Sequence, residues 1–135
     1  MNAMLANQGA MAYTQVNRIS GVEGANPHQL VDMLMEGALD KISVAKGLMT
    51  RNEIAAKGFA ISRAIAIVDG LRSSLDKAGG EISTNLDALY DYMQRLLMDA
   101  NQQNETKPLD EVTKLLSDLR VSWNSIPDEF RTHHK

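Results

Sequence analysis

The side chains in this sequence that could carry out chemistry are few, and their spacing does not assemble a reactive site. The three histidines are His28, His133 and His134. A di-iron bundle requires inward-pointing Glu-x-x-His pairs, and none of these histidines completes such a ligand set. His28 also falls in the first turn of a predicted helix, whereas a phosphotransfer histidine needs an exposed position in the middle of one.

Other reactive combinations are equally poorly represented. Cysteine is absent, which excludes disulfides, thiol catalysis and Cys-ligated metal. Asp87 and Asp91 lie four residues apart on a face predicted to be solvated, and Gly79-Gly80 is typical of a turn between helices. We therefore expect neither enzymatic activity nor a metal or cofactor. An enzyme or metalloprotein built on a helical bundle is kept as an alternative interpretation, behind the two that are given at the end of this subsection.

The composition is that of a single soluble domain. The chain has 135 residues, of which 44% are hydrophobic and 23% charged, and this length allows one substantial core. A net charge of −3 argues against nucleic-acid binding, which needs a basic face. No apolar run approaches the roughly 18 residues of a membrane span, and the N-terminus lacks the basic start of a signal peptide. These features predict a cytoplasmic protein.

Apolar residues recur in steps of three and four along four stretches, the period of an α-helix with one buried face. The predicted helices span about 27–49, 53–78, 82–101 and 107–126. Asn26, Pro27 and Gln29 form a capping-box start for the first helix, and Thr106 is expected to cap the last.

The inward faces follow from this periodicity. The second face is wide, about 160° around the helix, which fits either two neighbours in a bundle or a flank offered to a partner. Tyr90 falls within the third face, whereas Tyr92 flanks it and is expected to be at least partly exposed. In chain order the four faces contain Leu30, Val31, Leu34, Met35, Ala38, Ile42, Ala45 and Met49; Ile54, Ala60, Ile61, Ala64, Ile65, Ile67, Val68, Leu71, Leu75 and Ala78; Ile82, Leu86, Leu89, Tyr90, Met93, Leu96, Leu97 and Ala100; and Leu109, Val112, Leu115, Leu116, Leu119, Trp123 and Ile126.

These elements predict an all-α fold, an antiparallel up-down four-helix bundle with a short extra N-terminal helix. Short connections between helices imply antiparallel neighbours. The bundle is expected to span residues 26–127. Residues 1–25 are expected to form a mobile segment with a docking helix at about 10–19 and a linker, because a ten-residue helix is not stable alone in water. Residues 128–135 are expected to be a charged, frayed tail.

Several of these stretches resemble the FliS family, the flagellin-specific chaperones of flagellar type III secretion. The resemblance covers nearly the whole chain, and its most specific part is residues 79–101. Trp123 fits a position near the end of the last helix, and Asn26 stands where relatives usually have Ser. The matching motifs are Asn26-Pro27-His28-Gln29-Leu30, Gly79-Gly80-Glu81-Ile82, Thr84-Asn85-Leu86, Leu89-Tyr90-Asp91-Tyr92-Met93 and Ala100-Asn101.

The resemblance implies a cytoplasmic chaperone that binds the disordered C-terminal region of flagellin. Such a chaperone prevents premature polymerisation and delivers its cargo to components of the flagellar export gate. In that family the N-terminal segment occupies part of the binding surface and is displaced by flagellin. Neither the affinity nor the choice between monomer and homodimer follows from the sequence.

Helix position and family analogy together nominate seven flagellin-binding residues. Three belong to the N-terminal segment and four to the flanks of the bundle: Tyr13, Val16, Ile19, Ile67, Leu71, Tyr92 and Leu96. For Leu71 and Leu96, a place in the core is a strong competing interpretation. The competing interpretation of the whole chain is a generic helical adaptor or co-chaperone that binds a different flagellar or regulatory protein.

Overall fold

The computed structural model describes residues 26–76 and 79–127, and these form four α-helices with no strand among them. We label them α1 (Pro27–Thr50), α2 (Ile54–Ser73), α3 (Gly80–Gln103) and α4 (Lys107–Asn124). The predicted helix at 10–19, its linker and the tail at 128–135 lie outside the described residues, as does Ala78.

The helices form a closed ring of neighbours. α1 packs on α2 and α4, and α3 packs on the same two helices, so that α1 and α3 stand diagonally opposite. Short connections join α1 to α2 and α3 to α4, which places consecutive helices antiparallel. The predicted all-α, up-down four-helix bundle is confirmed for this part of the chain.

The first helix begins with the predicted capping box. The Asn26 side-chain oxygen accepts from the Gln29 backbone N–H at 2.8 Å, and the Gln29 side chain accepts from the Asn26 N–H at 3.2 Å. The prediction for α4 is wrong, because Thr106 makes no side-chain capping bond. Its backbone is already helical, with φ −83° and ψ −20°, whereas a capping residue normally has extended dihedrals.

The turn between α2 and α3 comes earlier than the sequence predicts. α2 ends at Ser73, and the Ser74 hydroxyl that follows donates to the Leu71 carbonyl at 2.7 Å, a side-chain bond that competes with the helical pattern. Within the predicted Gly79-Gly80 turn, Gly80 begins α3 with a positive φ of 69°, which glycine adopts without a Cβ penalty.

The core is aliphatic and follows the predicted faces closely. Its fully buried members come from all four helices: Leu34, Met35, Ala38, Ile42, Ala45, Ile61, Ala64, Val68, Leu71, Met93, Leu97, Ala100, Leu109, Val112 and Leu116. Tyr90 is buried and Tyr92 is 44% exposed, as predicted. Two assignments are wrong: Ile54 and Ile82 are 49% and 73% exposed, since each lies in the first turn of its helix.

Candidate functional site

The helices differ in length, and the difference leaves apolar surface uncovered at one end of the bundle. α1 and α3 each have 24 residues, against 20 in α2 and 18 in α4. At 1.5 Å per residue, α3 is about 9 Å longer than α4. We call the end of the bundle at which α1 and α3 begin the open end. It is defined by six apolar side chains: Leu75, Ile82, Leu86, Leu89, Leu119 and Trp123. The opposite end, at which α2 and α4 begin, is the closed end.

Burial along α3 changes sharply where the neighbouring helices stop. None of residues 80–89 is buried, whereas Tyr90, Met93, Leu97 and Ala100 are all at most 3% exposed. Leu86 and Leu89 pack only partly against the core. One apolar row therefore runs along α3 from the closed core outwards to Ile82, in solvent.

A guanidinium on α2 holds the first half of α3 in place. Arg72 donates from Nε and Nη2 to the two Asp87 carboxylate oxygens at 2.9 and 3.1 Å, and from Nη1 to Gln94 at 2.9 Å and Asp91 at 3.3 Å. The hydrogen bond with Asp87 raises the pKa of Arg72 above its ordinary value. Helix geometry puts these polar partners on a different side of α3 from Ile82, Leu86 and Leu89. Arg72 therefore fixes α3 without covering its apolar row.

The end of α4 is anchored to the start of α1. The Trp123 ring stacks on His28 with centroids 4.4 Å apart and planes 8° from parallel, and its Nε1 donates to the His28 carbonyl at 2.9 Å. Trp123 itself is only partly buried. A rigid aromatic with one satisfied polar atom is a common component of protein-binding surfaces.

The open end is suited to binding an apolar segment of a protein. Its defining side chains are aliphatic or aromatic, and Ile82, Leu86 and Leu89 follow the i, i+4, i+7 spacing of a helix face. Within residues 26–76 and 79–127, no group of three or more His, Asp or Glu side chains is placed to hold a metal ion.

The structure does not bring the predicted bundle residues together into one surface. Ile67 faces α1, where its Cδ1 lies 3.7 Å from the position a Cβ would take at Gly37, and Leu71 is 1% exposed in the core. Tyr92 faces α4 and donates from its hydroxyl to Glu111 at 2.5 Å, while Leu96 is partly buried against the core. Tyr13, Val16 and Ile19 lie outside the described residues. The binding role of all seven stays a prediction.

Sequence reasoning missed the open end because it assigned Ile82, Leu86, Leu89, Leu119 and Trp123 to buried faces. Periodicity identifies the apolar face of a helix but does not tell whether a neighbour reaches it. The Ser73-Ser74 pair, at which α2 ends early, was an available signal, but the predicted third and fourth helices were equal in length and gave none.

Comparison with known proteins agrees with this architecture. The sequence profile of the family described as "Flagellar protein FliS" matches residues 9–129. The chain belongs to the FliS family. It is 44% identical to the flagellar secretion chaperone FliSB of Pseudomonas aeruginosa over 124 residues, covering 91% of this chain and 98% of the relative.

Other members of the family are similar over comparable lengths. The flagellar secretion chaperone FliS of Salmonella typhimurium is 44% identical over 125 residues, or 91% of this chain and 93% of the relative. The Bacillus subtilis FliS is 32% identical over 116 residues, or 85% and 86% of the two chains. Among the described helices, none is long and apolar enough to cross a bilayer.

Proposed function

We propose that this member of the FliS family is a cytoplasmic chaperone that binds the C-terminal region of flagellin at the open end of the bundle. In this role it keeps flagellin from polymerising before export and delivers it to the flagellar export gate. The observation that carries the proposal is the apolar row of α3, which is core-like at Met93 and Leu97 and 73% exposed at Ile82.

The free energy of burying apolar surface favours a bound segment that covers the exposed part of the α3 row. Burying a fully exposed Ile or Leu side chain contributes about 1.5–3 kcal/mol, and Ile82, Leu86 and Leu89 all have surface left to bury. A disordered flagellin segment loses conformational entropy when it orders on the bundle, which offsets part of this gain. A large interface can therefore still release its cargo at the export apparatus.

The N-terminal segment is an internal competitor in this scheme. Asn26 caps α1 at the open end, so residues 1–25 join the bundle beside the proposed binding surface. Ala12, Val16 and Ile19 have helical spacing, and we propose that residues 10–19 stand in for cargo when none is bound. Deleting residues 1–19 then leaves flagellin affinity equal or higher, whereas a marked loss of affinity would assign direct cargo contacts to the segment.

Calorimetric titration with a peptide covering the flagellin C-terminus tests the binding surface. Ile82→Asp places a charge in the apolar row, and we expect affinity to fall at least about tenfold, equivalent to about 1.4 kcal/mol. Val44→Asp is the matched control, because Val44 is 52% exposed on α1 away from the open end, and it leaves affinity unchanged.

Two outcomes would count against the proposal. Equal losses in Ile82→Asp and Val44→Asp would remove the open end as the cargo site. A folded wild-type protein that does not bind the peptide would remove flagellin as the cargo and favour the helical adaptor, which co-purification from cells with and without flagellin would then identify.

A further inference from the structure

A second uncovered apolar surface lies on the outer side of the α1–α2 pair. Val44 on α1 is 52% exposed and Phe59 on α2 is 58% exposed. Leu48, one turn after Val44, packs only partly against the core. Among the described Phe, Tyr and Trp side chains, Phe59 is the most exposed. An exposed aromatic side chain is notable in a chain with only 4% aromatic residues.

The register of the two helices places Val44 beside Phe59. The Ile67 Cδ1 atom on α2 lies 3.7 Å from the position a Cβ would take at Gly37 on α1. Two turns, or seven residues, along α1 from Gly37 reach Val44 on nearly the same side of the helix. Because the helices are antiparallel, seven residues back along α2 from Ile67 reach Ala60, which is buried. Phe59 is adjacent to Ala60, so Val44 and Phe59 come level.

Contacts with α3 confirm on which side of α2 Phe59 lies. Lys57 donates to the Asn101 carbonyl of α3. Phe59 follows Lys57 by two residues, which is about 200° around the helix. Phe59 is therefore directed away from α3 and lies on the side of α2 nearer to α1.

Two cationic side chains lie one turn away from this apolar pair. The Arg63 guanidinium carbon lies 5.8 Å from the centroid of the Phe59 ring. Lys41 precedes Val44 by three residues and, by the same register, is level with Arg63. Within residues 26–76 and 79–127, neither cation forms an ion pair with a carboxylate. We call Lys41, Val44, Leu48, Phe59 and Arg63 the α1–α2 face.

We propose that the α1–α2 face binds an acidic amphipathic helix of a protein other than flagellin. Its apolar side chains would cover Val44 and Phe59, and its carboxylates would pair with Lys41 and Arg63. Aromatic side chains and Arg are the types enriched at protein interfaces. The contact with the Phe59 ring restrains Arg63, so less conformational entropy is lost when its planar guanidinium donates to a carboxylate.

The spacing on the face sets the spacing required of the partner. Lys41 and Val44 are three residues apart and Phe59 and Arg63 four, so each cation lies about 4.5–6 Å along the helix axis from an apolar side chain. A partner helix with a carboxylate three or four residues from an apolar anchor matches this distance. A second copy of this chain does not match, because a two-fold contact would bring these cations against their own copies.

A titration followed by NMR tests the charge and the location together. The probe is a synthetic helical peptide with Leu on one face and Glu on its flanks, and the matched peptide has Lys at every Glu position. In the full-length protein, we expect the acidic peptide to shift the amide signals of residues 41–48 and 56–63. The Lys peptide should leave those signals unchanged. Equal shifts with both peptides, or shifts confined to residues 82–89, would overturn the proposal.

Two variants test the roles of individual side chains. Phe59→Ser removes the aromatic anchor and Arg63→Glu reverses the charge, and we expect each to weaken binding of the acidic peptide at least about tenfold. Arg95→Glu is the matched control, because Arg95 is 74% exposed on α3, and it should leave the affinity unchanged. Equal losses in Arg63→Glu and Arg95→Glu would show that only the overall charge of the protein matters and would overturn the proposal.

Three further measurements separate this partner from other occupants. A flagellin C-terminal peptide should bind together with the acidic peptide, and displacement of one by the other would assign the face to flagellin. Dimerisation in sedimentation that Phe59→Ser abolishes would assign it to a second copy of the chain. Binding to phosphatidylserine vesicles that Arg63→Glu abolishes would assign it to a membrane. Each of these three outcomes would overturn the proposal.

Discussion

The two ends of the bundle share the apolar face of α3 but differ in how much of that face is covered. At the closed end, Leu97, Ala100, Leu109 and Val112 are fully buried. At the open end, Ile82, Leu86 and Leu89 continue the same face of α3, where Ile82 is 73% exposed and Leu86 and Leu89 are only partly buried. One apolar stripe therefore forms part of the core in one half of α3 and is partly or largely exposed in the other.

Polar contacts also differ between the two ends. At the closed end Lys57 is 3% exposed and donates to the Asn101 carbonyl at 2.6 Å, in the last turn of α3. This bond pairs a carbonyl near the negative end of the helix dipole with a cation. At the open end, Arg72 contacts the charged flank of α3 and leaves the apolar row free. Polar contacts therefore join neighbouring helices at both ends, with the cation buried at the closed end and 28% exposed at the open end.

The largest expected difference between the ends is in the cost of shortening an α3 side chain. We expect Leu97→Ala to lower the free energy of unfolding by about 2–5 kcal/mol, since it opens a cavity in a packed core. Ile82→Ala should change it by no more than about 0.5 kcal/mol, as for other surface substitutions. Urea unfolding with an unchanged m value measures both. Comparable losses in the two variants would mean that the open end is covered in solution.

This contrast also separates what sequence could predict from what it could not. The four helices, the capping box at Asn26 and the buried faces of α1 and α4 follow from local spacing and chemistry. The exposure of Ile82 does not, because it depends on where α2 and α4 end relative to α3. The same holds for Tyr92, whose exposure was predicted but whose bond to Glu111 depends on helix rotation. The family was predicted from the resemblance of sequence motifs. The open end could be recognised only from the observed lengths of α2, α3 and α4.

A second prediction concerns the contact that holds the open half of α3. Arg72→Ala removes a bidentate pair and leaves Asp87 and Asp91 close together, and we expect a loss of about 2 kcal/mol. Amide hydrogen exchange should accelerate at residues 83–89 and stay slow at 93–100. Arg95→Ala is the control, because Arg95 is 74% exposed and bonds to Asp91 alone among the contacts seen for it, and it should change stability by less than about 0.5 kcal/mol. Uniform acceleration along α3 would show that the two halves open together.

The smallest expected difference is between the two ion pairs that join α1 and α4, one towards each end. Asp32 bonds to Arg120 at 2.7 Å with 24% of its side chain exposed, whereas Lys46 and Asp110 pair at 2.7 Å with 49% and 54% exposed. We expect Asp32→Asn to lower stability at neutral pH by about 1 kcal/mol and Lys46→Ala by less, since exposed pairs contribute little.

Acid titration distinguishes the two pairs further. The hydrogen bond from Arg120 lowers the pKa of Asp32 below its ordinary value of 3.8. A carboxyl with a depressed folded-state pKa stabilises the protein above its unfolded-state value, and that stabilisation is lost as pH falls through the folded-state pKa. The stability difference between wild type and Asp32→Asn should therefore be constant near neutrality and shrink below about pH 4. A difference that persists unchanged at pH 2 would show that Asp32 acts through packing and neutral hydrogen bonds, so that the pair near the open end would be no more electrostatic than its exposed counterpart.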